Sequence, residues 1–557
     1  MLYKIFITAI FLSFSLTFSQ NVIYKYRFEG SNLDDMPPLM MQYDSDTKIA
    51  KLITMKDESL KRYDEASYID FENRKTYQTV LLKDGKRFTT EENLDNYPKP
   101  EPTDETQEIL GYKCKKAVVV IRSNHIDIWY TTEAGMYGTP ALNIGPELGL
   151  VLKIVRNGNF ETVAESIDKT TKPSVKLPHD LGEIVDAPTY KEKVTEANFT
   201  TIRIFDREKM NFGDTIVNSA DENSSLTFRF SKGTVIMKKI KLPDIMYDHT
   251  LFAELTAYSN GDAYDRTGSL FIIPQSKVSF LDALKNGLDK LPVYTAKDGQ
   301  KYEGITATDN YAPPLELVRF ITPFGINKFN EQVTVKGIKW EDSVTYKQDL
   351  TDLIQELNGD VWIGVFIGCY DRGGHIVSLK LKYHPNDPDA KTVSEKKYWI
   401  QPVINTVNLM EMSGQAYGRV FANDTLAVNV EIPEGIKSLK LRYISTGHGG
   451  WDGGDEFNPK MNEIFIDNLQ VYKYIPWRSD CGTFRKFNPA SGNFPNGISS
   501  SDFSRSGWCP GTTANPVDIP LSISPGRHVL KVFIPMGKPE GNSYSAWNVS
   551  AVMIGEY

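Results

Sequence analysis

Ile376-Val-Ser-Leu-Lys-Leu-Lys-Tyr383 ends in a strict alternation of apolar and polar residues. Side chains along a strand point to opposite faces in turn, so this stretch has one dry and one wet face. Leu439-Lys-Leu-Arg-Tyr-Ile444 reads the same way. Half-buried strands of this kind build antiparallel sandwiches, whereas parallel sheets use strands that are apolar on both faces. Further strand-like runs fall at 234–242, 269–273, 317–322, 398–407, 426–432, 463–474, 527–534 and 546–554, separated by Gly, Pro, Asn and Asp. The fold class expected is all-β.

Two segments have helical spacing instead. Residues 278–291 put Phe280, Leu281, Leu284, Leu288 and Leu291 on one face, and 348–357 do so with Leu350, Leu353, Ile354 and Leu357. Both are expected to cover sheet ends. Residues 166–199 are charged, hold Pro173, Pro178 and Pro188 and lack periodicity, which predicts a linker. It would divide a β-rich region at 21–165 from a larger all-β portion. Within that portion the Pro-, Asp- and Lys-rich stretch 385–395 predicts a division into 200–390 and 391–557.

The first twenty residues predict a secretory signal. Lys4 is the only charge, Ile5 to Phe18 is apolar, and small residues precede a cut near Gln20. That apolar run is too short to span a bilayer, and no later one is longer. The expected setting is therefore secreted or periplasmic, where disulfides persist. Four cysteines allow three pairings, and Cys114 lies far from the rest in sequence. Cys481 with Cys509 is the expected bridge, leaving Cys114 and Cys369 as buried thiols. A net charge of −8 argues against nucleic acid or an anionic membrane as partner. The 7 histidines are scattered without metal-ligand spacing, so no metal and no cofactor are expected.

Arg505-Ser-Gly-Trp-Cys-Pro-Gly511 packs a cation, a large ring, a cysteine and a Pro-Gly turn into one short segment. It resembles the C-terminal signature of the peptide-N-glycosidase F family. From Thr201 onward other motifs follow in that family's order: Ile204-Phe-Asp206, Phe212-Gly-Asp214, Gly261-Asp-Ala-Tyr-Asp-Arg266, Arg319-Phe-Ile-Thr-Pro-Phe324, Pro402-Val-Ile404, Tyr417-Gly418, Ser445-Thr-Gly-His448 and Asp455-Glu-Phe457. The resemblance implies two eight-stranded antiparallel jelly rolls, side by side, with a site in the cleft between them. Ile109-Leu-Gly-Tyr-Lys-Cys-Lys-Lys-Ala117, Ile128-Trp-Tyr130 and Gly145-Pro146 look like a secreted β domain of the GLPGLI type, bowl-like in a subgroup of these enzymes. Leu148-Gly-Leu-Val151 departs from that type's naming motif.

The chemistry the resemblance implies is hydrolysis of the amide joining an Asn side chain to the first N-acetylglucosamine of a glycan. Such a reaction needs a positioned water, a carboxylate to orient it, donors for the oxyanion and a proton for the leaving nitrogen. Asp265 falls at the family's essential carboxylate. Glu456 falls at a supporting Glu that orients the water or the sugar, in a loop whose family cysteines are Gly454 and Asn458 here. Arg505 matches an arginine that would donate to the carbonyl oxygen. Arg266, Tyr264 and Trp508 would meet the first sugars, the rings by stacking, and His448 would stand close by. A third family carboxylate has no counterpart within Phe366-Ile-Gly-Cys369; either Asp371 substitutes from a shifted loop or the site works with two. The partners implied are N-glycosylated proteins or peptides, met by a monomer. The departures leave open a non-catalytic protein that only binds glycans. Copper monooxygenase chemistry, known on related twin jelly rolls, is disfavoured by the isolated histidines.

Overall fold

The computed structural model describes residues 20–56, 61–169, 174–244, 249–386, 397–410, 416–449, 453–538 and 544–557. The predicted leader lies outside them except for Gln20, as does most of the dividing stretch at 385–395. Among the described residues no helix is long and apolar enough to cross a membrane. The chain forms two compact units, Met1–Phe199 and Thr200–Tyr557.

The first unit is one continuous sheet, antiparallel except where Glu183–Ile184 pairs in parallel with Phe88 and Thr89. Its segment 174–199 is not the linker expected. Val175 is buried against Ile49, Tyr68 and Tyr77, and a helix at Ala187–Ala197 packs Tyr190 against Val80 and Phe88. The helix start was written in the sequence: Asp186 accepts from the Thr189 N–H at 2.8 Å, and Pro188 sits in the first turn. Its weak apolar face hid it, because one tyrosine supplies the buried anchor.

The second unit is a pair of β-sandwiches. In the first, strands Thr200–Met210, His375–Pro385, His249–Ser259 and Val344–Asp349 form one sheet. Facing it are Phe228–Phe230, Val235–Leu242, Gly359–Ile367, Thr267–Ile272 and Leu315–Ile321, extended by the distant Thr513–Ala514. The second sandwich has eight strands. Tyr398–Asn405, Ala546–Glu556, Ser438–His448 and Val517–Leu521 oppose Leu426–Ile432, Gly526–Phe533, Asn462–Ile466 and Leu469–Tyr474. Along His375–Pro385 buried and half-buried residues alternate, as its sequence dictates. Val552 and Ile554 of the second sandwich pack into the apolar core of the first, so the two share a wall.

Two expected elements differ. Residues 463–474 are a hairpin rather than one strand, because Asp467 and Asn468 both take positive φ (49° and 70°) and make a two-residue turn. Residues 348–357 finish a strand and then form a short 3-10 run, Thr351–Glu356. Asp349 receives the Thr351 N–H at 2.9 Å and stops a regular helix from starting earlier. The 278–291 segment does form helix, at Phe280–Asn286.

Cys481 and Cys509 are bonded, and Cys114 and Cys369 are buried free thiols. The bridge closes a stretch of turns and 3-10 pieces without regular strand or α-helix. Cys481→Ser with Cys509→Ser is expected to cost about 3–4 kcal/mol by freeing that loop in the unfolded chain. Urea unfolding checks this, and an unchanged midpoint would refute it.

Candidate active site

Asp265 stands in a loop that follows strand His249–Ser259 and closes on itself. Ser259 Oγ donates to the Asp262 carbonyl at 2.6 Å, and Asp262 Oδ1 accepts the Tyr264 N–H at 3.0 Å. The Arg266 guanidinium forks onto both oxygens of Asp262, at 2.8 and 3.1 Å. Thr322 clamps the other end: its Oγ1 accepts the Arg266 N–H at 2.8 Å and donates to the Tyr264 carbonyl at 3.2 Å. The Thr of the Arg319–Phe324 motif therefore fixes the backbone on either side of Asp265.

Glu456 and Arg505 come from the second sandwich. Arg505 Nε donates to Glu456 Oε1 at 3.0 Å, and Arg505 Nη2 lies 3.9 Å from Asp265 Oδ2. One guanidinium thus stands between two carboxyl groups. The remaining fork is held by the Ser500 carbonyl (2.5 Å), the Phe503 carbonyl (3.2 Å) and Ser500 Oγ (3.0 Å). Of its five N–H donors, four are committed, and one on Nη2 faces Asp265. Phe457 and Trp508 cover the guanidinium at 4.9 and 4.8 Å from its carbon. Arg505 is only 1 % exposed.

The loop before Glu456 lacks the family's cysteines at Gly454 and Asn458, and two other devices hold it. Asn458 Nδ2 donates to the Gly454 carbonyl at 2.8 Å, across the very pair of positions a bridge would join. Asp455, fully buried, accepts from Trp547 Nε1 at 2.8 Å and from the Gly537 N–H at 2.9 Å. Residues 450–452 of this loop lie outside the described residues. Gly507 of the signature, at φ 83°, sits so near the Ser445 carbonyl that a Cβ would come within 2.4 Å of it.

Burial governs the electrostatics. Loss of water pushes Glu456 up to about 7, against the pull of Arg505 and with the push of Asp265. Asp265 is also raised, first by desolvation, although Arg505 and Arg266 oppose it. The two carboxyls share one cation, and only Glu456 has a direct hydrogen bond to it. On this geometry Glu456 is the carboxyl better placed to carry the negative charge, and Asp265 the one better placed to hold a proton. Asp262 goes the other way: burial would raise it, but His375 and Arg266 hold its carboxyl well below the usual range.

Asp265, Glu456 and Arg505 are brought together, and Arg266 and Tyr264 adjoin them. Tyr264 is 62 % exposed with its ring 5.1 Å from the Arg266 guanidinium carbon, so one aromatic face remains for a ligand. Trp508 is not such a surface. It is 3 % exposed, donates Nε1 to the Gly447 carbonyl at 2.8 Å, and lies between Arg505 and His448, whose ring stacks on it at 5.2 Å. His448 is likewise buried and cannot meet a sugar. Asp371 turns inward on its own loop, where Oδ1 takes the N–H groups of Gly373 and Gly374 at 2.7 and 2.9 Å. Tyr370, which the sequence reading passed over, is half exposed and 5.5 Å from the Arg266 guanidinium on its ring side. Its only signal was an aromatic residue beside a turn.

Also passed over was a buried chain of polar contacts that runs between the sandwiches. Arg319 forks onto Glu316 with two bonds of 2.7 Å, and both side chains are wholly buried. Residues three apart on a regular strand face opposite ways. Here Leu270 pairs with Val318 and Phe271 with Glu316, so Leu317 is a bulge that returns Glu316 and Arg319 to one side. Arg319 Nη1 then reaches Thr446 Oγ1 at 3.0 Å in the second sandwich, and Thr446 Oγ1 lies 2.7 Å from His448 Nε2. The Thr446 hydroxyl accepts from Arg319 and shares a hydrogen bond with the His448 ring. Burial pushes His448 down to about 3, with Arg319 and Arg505 adding to the effect. Arg319→Met is expected to cost about 3–5 kcal/mol, because Glu316 would stay buried without a counter-charge. Glu316→Leu with Arg319→Met should recover most of that loss. Equal urea midpoints for the single and double variants would refute it.

Among the described residues no three His, Cys, Asp or Glu side chains group closely enough to hold a metal ion. Three family models match this chain: "Peptide-N-glycosidase F, N terminal" over residues 201–383, "Peptide-N-glycosidase F, C terminal" over 416–554, and "N-glycanase peptide, N-terminal domain" over 22–192. Among solved structures, PNGF-II in a P21 crystal form is 41 % identical with a TM-score of 0.86, covering 97 % of this chain and 99 % of that one. PNGF-II in a C2 form is 41 % identical with a TM-score of 0.79, covering 97 % and 98 %. No curated protein matches the chain.

Proposed function

This chain belongs to the peptide-N-glycosidase F family, and from that premise we propose that it is an amidase that releases N-linked glycans from proteins or peptides. The bond cut is the amide between an Asn side chain and the first N-acetylglucosamine, and the products are Asp and an amine-bearing glycan. The observation that carries the reading is the meeting of Asp265, Glu456 and Arg505 from two sandwiches. Ionised Glu456 takes a proton from water as it attacks the carboxamide carbon. Protonated Asp265 donates to the leaving nitrogen. The free Nη2 hydrogen of Arg505 supplies positive charge to the developing oxyanion. Tyr264 and Tyr370 offer faces on which the first sugars stack. Export of the protein belongs to the same reading. Incubation with a denatured N-glycoprotein, followed by mass analysis of the glycosites, tests it; glycosites that remain Asn while their glycans stay attached would refute it.

The order of the two carboxyls sets a pH profile. Activity should rise as pH passes through about 7, where Glu456 ionises, while burial, which raises Asp265 as well, favours its protonated form. In Glu456→Gln the residual activity should lose the rise near 7. A profile of kcat/KM that keeps this limb would exclude Glu456 as the base. Stability should move against activity. The folded chain holds a proton that unfolded Glu456 releases near its ordinary 4.5, so the group's contribution is intact below that pH and is lost as pH climbs to about 7.

A further inference from the structure

A cavity of about 530 Å³ lies over the outer face of the sheet holding Thr200–Met210 and His375–Pro385. It is open to solvent, and its volume is in the range of small-ligand sites. Arg203, Arg207 and Lys380 line it together with Asp206 and Asp342. Among the described residues none of these five charges forms an ion pair, with one another or with anything else. Arg203, Asp206, Arg207 and Asp342 are exposed to solvent and Lys380 is half-buried.

The backbone keeps them so at a cost. Arg203 is directly opposite Lys380 in the strand register, and like charges in that position destabilise a sheet. Glu254, on Lys380's other side, does not offset this, because its carboxylate is taken by Lys347 at 3.3 Å and Lys382 at 2.8 Å. The strand bulges between Phe205 and Glu208, which frees Asp206 and Arg207 from pairing. Arg207 takes φ 53°, in the left-handed region that side chains other than Gly, Asn and Asp seldom adopt. The Arg207 N–H is secured by Ser378 Oγ at 2.9 Å, and its guanidinium carbon lies 5.3 Å from the Tyr258 ring centre. The Tyr258 hydroxyl is buried there without any hydrogen-bond partner. Unneutralised cations, local strain and an unsatisfied hydroxyl meeting in one cavity mark a site shaped for something other than packing.

We propose that this cavity binds an acidic sugar, a polyhydroxylated ring bearing a carboxylate. The cations hold the carboxylate by charge-assisted bonds, Asp206 and Asp342 accept ring hydroxyls, and the Tyr258 hydroxyl gains its missing partner. A simple anion would satisfy the cations alone, and a neutral sugar would leave them repelling one another. Tyr258 and Asp265 are seven residues apart, which limits their separation to about 25 Å even for a fully extended chain. The site is therefore close enough for one branched glycan to touch both, although the proposal does not depend on the amidase reading.

The test is calorimetric titration of the full chain, and of Asp265→Asn, with D-glucuronate, D-glucose and inorganic sulfate. D-Glucuronate and D-glucose differ only in carboxylate against hydroxymethyl. Saturable binding of glucuronate to both proteins is expected, with glucose and sulfate at least tenfold weaker. Lys380→Gln and Arg203→Gln, both at the strand surface, should each weaken glucuronate by about tenfold. Arg207→Asn, whose side chain tolerates φ 53°, should do the same. The urea unfolding midpoint should be unchanged in all three, which shows that they fold. Equal binding of sulfate or of glucose, affinity unmoved by the three variants, or no binding at all would each overturn the proposal.

Discussion

Asp265→Asn is expected to keep the fold and end glycan release. The substitution preserves shape but removes the only proton that the site can deliver to a leaving nitrogen from this side. Loss of a positioned acid of this kind lowers the rate by about a thousandfold or more. Stability should not fall. A carboxyl whose ionisation burial opposes is replaced by a neutral amide, and the clamp from Thr322 and Asp262 is built from neighbouring residues. The measurement is the mass of each glycosite after incubation, together with the binding of an intact glycopeptide. Binding retained with release abolished is the expected pair. If the unaltered chain itself binds the glycopeptide and never converts Asn to Asp, the protein is a glycan-binding module and Asp265 has no acid role. If Asp265→Asn releases glycan at the original rate, the proton comes from elsewhere and the assignment of acid and base fails.

Much of the scaffold was readable because period-two alternation is a local property. The stretch 376–383 fixes which side of its strand is dry whatever lies across the sheet, and the residues at 426–432 fix theirs. Local reading failed where a distant contact decides. Trp508 has the composition of a sugar platform, yet His448, sixty residues earlier in the chain, closes one of its faces and Arg505 the other. The linker at 166–199 was misread because its apolar residues have no period, although Val175 and Tyr190 each fill a gap in the first unit's sheet. Glu316 and Arg319 were hidden by their spacing, which a bulge inverts. Two charges within the otherwise apolar run Leu315–Ile321 were nonetheless a signal, since a buried strand keeps such residues only when they neutralise each other. Asp265, Glu456 and Arg505 were reached through motif order and not through any physical pattern in the residues themselves. Nothing in a sequence says that positions so far apart share one guanidinium.

Arg505→Met should reduce activity nearly as far as Asp265→Asn does, by a different route and with a distinct pH signature. Methionine fills much of the same volume between Phe457 and Trp508, so the loss is chiefly one of charge. Without the cation, Glu456 loses its hydrogen bond and both carboxyls lose their largest stabilising charge. Each then holds its proton more tightly, Glu456 is protonated at neutral pH, and the attacking water has no base. The expected outcome is a fall of about a hundredfold or more near pH 7, with the rising limb of the pH profile displaced upward and part of the rate recovered in alkali. Arg505→Lys separates charge from geometry. An ammonium can neutralise Glu456 but cannot also span the Ser500 and Phe503 carbonyls, so the limb should return toward 7 while the rate stays low. A pH limb that stays at the original position in Arg505→Met would show that Arg505 does not set the ionisation of the pair. The shared guanidinium would then be a structural tie for residues 500–505, and the source of the perturbed carboxyls would have to be burial alone.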